Sequence, residues 1–92
     1  MSTHLQQTVT SLDRAPCSEW VEVLDVPRGR GASRHLGQVG IYVNERLRVL
    51  SAAPWGGPVL VDAGGTTVAI GRSLASRIRV RLMGRTQSGE AT

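Results

Sequence analysis

The sequence predicts a mainly β fold, a small barrel of short strands carrying one short inserted α-helix. Three observations point there. The run Ala53-Pro54-Trp55-Gly56-Gly57-Pro58 lies between two apolar stretches. Its prolines cannot donate to a central ladder and its glycines admit positive φ, so it reads as a strand-to-strand turn. Near the other end, Ile78, Val80 and Leu82 alternate strictly with Arg77, Arg79 and Arg81, the one-dry-face pattern of a barrel wall. Finally, Val and Leu dominate the apolar set, Phe is absent, and Trp20, Trp55 and Tyr42 are the only aromatic rings. A core of branched aliphatics suits a sheet.

Taken in order, Val9–Leu12 reads as a short edge segment closed by the turn Asp13-Arg14-Ala15-Pro16. Trp20–Val26 alternates with Val21 and Val23 on one side, as a half-buried strand does. Pro27-Arg28-Gly29-Arg30-Gly31 ends it. Ser33 then reads as the N-cap of a helix over Arg34–Val39, with Leu36 and Val39 on one face. Gly40 takes the left-handed C′ position, and Ile41 docks back on the helix end. Glu45–Ala52 is a strand with Leu47 and Val49 inside and Arg46 and Arg48 outside. Val59–Ala63 and Thr66–Gly71 form a hairpin about Gly64-Gly65. Ser73–Ser76 gives one helical turn before the closing strand Arg77–Leu82. The flanks 1–8 and 84–92 lack the apolar pattern and read as flexible tails, leaving 9–83 as the packed domain.

Ninety-two residues make one domain, with little room for a buried catalytic cavity. Its eleven positive charges are all Arg, giving a net charge of +4, but they are spread from Arg14 to Arg85 and read as a solvated surface. Cys17 is the single cysteine, which excludes an intramolecular disulfide. The polar start lacks an apolar signal core, and no stretch approaches the about 20 apolar residues of a membrane span. The expected location is cytoplasmic, without membrane insertion.

The residue types that carry chemistry are sparse. His4, His35 and Cys17 stand at no ligand spacing, so no resident metal site and no cofactor are expected, and any divalent metal association is weak. Cys17 has no His near it in sequence and no Ser sits in a nucleophile elbow. Glu22 and Asp25, three apart, fall on opposite faces of a regular strand. An enzyme is not expected. The segment from Arg28 to Arg34 leads glycines and arginines into a helix but lacks P-loop spacing and its Lys. If it binds anything, an acidic protein surface suits it better than a nucleotide. Trp55, in the turn between Pro54 and Pro58, reads equally as a rigid apolar anchor at the turn tip or as a ring folded back to cap the barrel end, and Tyr42 exposes its ring with the hydroxyl in water. Trp55, Tyr42, Arg34, Pro54 and Pro58 are therefore the candidate partner-binding residues.

The order of these features resembles the FeoA family, the small ferrous iron transport protein A, and the related SH3-like domains of iron- and manganese-dependent repressors. The resemblance runs through Arg34, Leu36, Gly40-Ile41, Val43-Asn44, Leu47 to Leu50, Pro54 to Pro58, Ala69-Ile70-Gly71-Arg72, Ala75 and Ile78-Arg79-Val80. Val43-Asn44 stands where the family has a Pro-Gly turn, and Asn also accepts the left-handed conformation. Gly57 stands where the family often has Asp. The resemblance implies an SH3-like barrel acting as a cytoplasmic accessory of ferrous iron uptake, docking on a FeoB-type membrane GTPase transporter. Its rivals are a free-standing metal-responsive regulatory domain of the repressor kind and a basic nucleic-acid-binding barrel. The latter lacks the interleaved aromatic rings of single-strand platforms, so no nucleic acid is expected. Short edge strands and exposed apolar residues leave room for a homodimer.

Overall fold

A computed structural model describes residues 8–52 and 56–85. These form β1 (Val9–Ser11), a 3₁₀ turn (Leu12–Arg14), β2 (Trp20–Asp25), α1 (Arg30–Gln38), β3 (Arg46–Ala52), β4 (Val59–Ala63), β5 (Thr66–Ile70), α2 (Arg72–Ala75) and β6 (Arg79–Gly84). All strands pair antiparallel in one sheet of order β1-β6-β2-β3-β4-β5. The sheet is barrel-like but not strictly closed, because β1 and β5 stand at its two ends.

Period-two alternation decides what faces inward. Val21 and Val23 of β2, Leu47 and Val49 of β3, Val59 and Val61 of β4, Val68 and Ile70 of β5 and Val80 of β6 are buried together. Leu12, Ala15, Leu36, Ile41, Ala75 and Ile78 close the ends of this core from the turns and helices. No polar or charged residue is buried among the described residues. Each fully buried Val, Leu or Ile contributes about 1.5–3 kcal/mol of transfer free energy, so the fold rests on aliphatic packing.

Both loop signals at glycine hold. Gly64 and Gly65 take φ of 63° and 91°, the type I′ signature, and Asp62 Oδ1 accepts from the Gly65 N–H at 2.7 Å. At the end of α1, Gly40 has φ 85°, its N–H donates to Gly37 O at 3.1 Å, and the Ile41 N–H donates to Leu36 O at 2.9 Å. This is a Schellman closure, completed by contact between the buried Ile41 and Leu36. Asn44 takes φ 77°, as its place in the turn demands.

Two local features differ from the sequence expectation. The helix begins at Arg30, four residues before Arg34, with Gly29 as N-cap at φ 134° and ψ 137°. Ser33 does not cap; its N–H donates to Gly29 O at 3.0 Å inside the first turn. Arg30, Ala32 and Arg34 are good helix formers, and they extend the helix back until Gly29 supplies a bend other residues resist. Arg48 is on the outer face as expected but half-buried there, its guanidinium 6.0 Å from the Trp20 ring centroid in a cation–π arrangement. Finally, a register shift between Val23 and Asp25 puts both Glu22 and Asp25 opposite arginines of β6, Glu22 opposite Arg81 and Asp25 opposite Arg79. A bulge adds a residue to one strand, so a spacing of three no longer means opposite faces.

Candidate functional site

Position in the fold sets two groups of arginines apart. On the outer face Glu22 lies between Arg81 of β6 and Arg46 of β3, and its carboxylate pairs with the Arg81 guanidinium. Asp25 faces Arg79, and Arg48 stands between Trp20 and Asp62. Asp13 lies 3.9 Å from Arg72 beside α2. These arginines belong to a balanced, structural surface.

The second group lies on α1 and the segment before it. From Val26 to Asn44 the chain carries Arg28, Arg30, Arg34 and His35 and no carboxylate. Arg28, Arg34 and His35 are exposed. The helix is amphipathic: Leu36 is buried while Arg34, His35 and Gln38 face outward. Tyr42 is 54% exposed, and its hydroxyl donates to Gly37 O at 2.9 Å, which ties it to the helix end. The hydroxyl is thus spent on the backbone, not left in water, and the ring lies over Gly37, where a Cβ would stand 3.6 Å from Tyr42 Cε1. Val43 beside it is also exposed.

Beside α1 lies an open-sided cleft of about 630 Å³. Gln38, Val39 and His35 form its helical wall, and Thr67, Val68 and Ala69 of β5 form the other. The hairpin is legible in the sequence, but that its second strand ends the sheet next to a helix is not. The order of strands in space is a tertiary fact, and the sole local hint was the uncharged run Gly64–Gly71.

Of the candidate partner-binding residues, α1 brings Arg34 and Tyr42 onto one region. Pro58 is exposed just before β4, at the end of that strand away from the Gly64-Gly65 turn. Pro54 and Trp55 lie outside the described residues. Cys17 is a free, exposed thiol, and among the described residues no group of three or more His, Cys, Asp or Glu gathers in a way that could hold a metal ion. No helix among them is long and apolar enough to cross a membrane.

Comparison with known proteins follows the same outline. A family model described as the FeoA domain matches residues 10–82. A protein of Methanocaldococcus jannaschii, provisionally named Fe(2+) transport protein A, is 37% identical over 62 residues, which span 67% of this chain and 73% of the relative. Among solved structures, an iron uptake regulatory protein (FeoA) superposes with a TM-score of 0.77 at 29% identity, over 83% of this chain and 100% of the other. The FeoA protein from Chlorobium tepidum gives a TM-score of 0.73 at 26% identity, over 85% of this chain and 74% of that one. A manganese-dependent transcriptional repressor matches with a TM-score of 0.74 at 23% identity, over 85% of this chain and 44% of its own, a likeness of fold alone.

Proposed function

Because the chain belongs to the FeoA domain family, a family of ferrous iron transport accessories with an SH3-like fold, we propose that it is a cytoplasmic docking module for a FeoB-type membrane transporter. The observation that carries the reading is the α1 surface without a carboxylate: exposed Arg34 and His35 with Tyr42 at the helix end, in contrast to the sheet face of β2, β3 and β6, where carboxylates stand across from arginines. Such a face favours an acidic protein partner through steering and selectivity. In this reading the chain performs no catalytic step and holds no resident metal; iron passes through the partner. Pro58 is exposed, and the sequence segment it closes, Pro54 to Pro58 with Trp55, is a second contact.

Co-purification with a FeoB-type transporter under reducing conditions tests the proposal. Wild-type chain is retained, and Arg34→Ala and Trp55→Ala are each retained less. A wild type that fails to associate sinks the docking reading. Anaerobic ferrous titration separates it from a metal-responsive regulator: tight, stoichiometric binding abolished by His35→Ala would favour the regulator.

A further inference from the structure

We infer that the cleft between α1 and the open edge of β5 is the seat of an extended, acidic segment of the partner protein, which adds to the sheet as one further strand beside β5. The inference rests on the docking function proposed above and says where, and in what conformation, the partner is held.

In an antiparallel ladder, opposed residues alternate between pairs that exchange both N–H···O bonds and pairs that exchange none. A two-residue type I′ turn makes the flanking pair, Ala63 and Thr66, a bonded one. The register then makes Val61–Val68 and Val59–Ile70 bonded, and Asp62–Thr67 and Leu60–Ala69 non-bonded. Thr67 and Ala69 therefore turn their N–H and C=O groups away from β4. Since β5 ends the sheet, those four groups point to the open edge, and both residues line the cleft. An unpaired edge is a template for an added strand.

The occupant's chemistry follows from the opposite wall. His35 and Val39 lie one turn apart on α1, as do Arg34 and Gln38, so Arg34 continues the row that Gln38 begins at the cleft. No carboxylate lines the cleft, and the Asp62 carboxylate nearest the hairpin is engaged with the Gly65 N–H. β5 itself is uncharged. A strand laid along β5 thus has a basic helix on its flank, and acidic side chains complement it. The free-edge geometry supplies affinity through main-chain bonds and the helix supplies selection.

Proline at an outward-facing edge position removes a donor without costing a ladder bond. Thr67→Pro therefore keeps its pairing with β4 while losing the N–H an added strand needs. Two probes are used on the full chain: the FeoB-type transporter, and a synthetic six-residue peptide alternating Glu with Val, set against its Lys–Val counterpart. Amide signals of Thr67 and Ala69 report peptide binding, and thermal unfolding reports the fold. The acidic peptide is expected to shift both amides, to bind about tenfold more tightly than the basic one at low salt, and to lose about tenfold in affinity with Thr67→Pro. Should Thr67→Pro fail to fold, Arg34→Glu takes its place and weakens the acidic peptide alone. No acidic-peptide binding, equal binding of both peptides, or transporter association unchanged by Thr67→Pro and Arg34→Glu would overturn the inference. So would self-association of the wild type that Thr67→Pro abolishes, since the seat would then hold a second copy. Peptide binding without transporter association would leave the seat standing and remove the docking function.

Discussion

The two sides of this domain handle the same residue, arginine, in opposite ways. On the outer face of β6, β2 and β3 each arginine has a carboxylate across the strand: Arg81 and Arg46 flank Glu22, and Arg79 faces Asp25. On α1, Arg34 and His35 are exposed within a stretch that contains no acid from Val26 to Asn44. Composition alone, eleven arginines with a net charge of +4, blurs the two. Charge paired across a ladder serves the fold, while charge left unmatched beside an open cleft is available to a partner.

The contrast can be broken from the structural side first. Leu47→Ala removes a fully buried side chain from the middle of the sheet, and a loss of about 2–5 kcal/mol in denaturant unfolding is expected. A smaller loss would mean the core collapses around the gap. Gly40→Ala meets no atom within 4 Å, so its cost is conformational: φ 85° is unfavourable for any residue with a Cβ. About 1–2 kcal/mol is expected, together with fraying of the last turn of α1 in amide exchange.

Charge effects are smaller and sharpen the comparison. Glu22→Gln leaves Arg81 without its ionic partner, and because the pair is only part-buried the cost is about 0.5–1 kcal/mol, shrinking in high salt. Arg34→Ala, on the exposed side of α1, changes stability by less than about 0.5 kcal/mol. Similar destabilisation by Glu22→Gln and Arg34→Ala would erase the distinction between the two surfaces.

Most of the fold was legible in the sequence because its signals are local. The alternation of β6, the Gly64-Gly65 turn and the Gly40-Ile41 helix end each report a backbone requirement that a few adjacent residues satisfy. The misread features depend on something else. The early start of α1 lies with a glycine conformation that several residues share, and the common face of Glu22 and Asp25 with a bulge set by pairing to β6. The cleft depends on which strand ends the sheet. Arg34 and Tyr42 were legible as candidates from their setting about the helix, whereas Thr67, Ala69 and Gln38 carry no distinctive chemistry and acquire a role only through position.

The central claim is that the two arginine populations differ in purpose, and one measurement tests it directly. Arg34→Ala and Arg46→Ala each remove one exposed positive charge, the first from α1 and the second from the balanced sheet face. Their affinities for the FeoB-type transporter are compared with wild type at the same low salt. The account predicts about a tenfold loss for Arg34→Ala and no more than about a twofold change for Arg46→Ala. Equal losses would show that net charge alone governs association, and would contradict it.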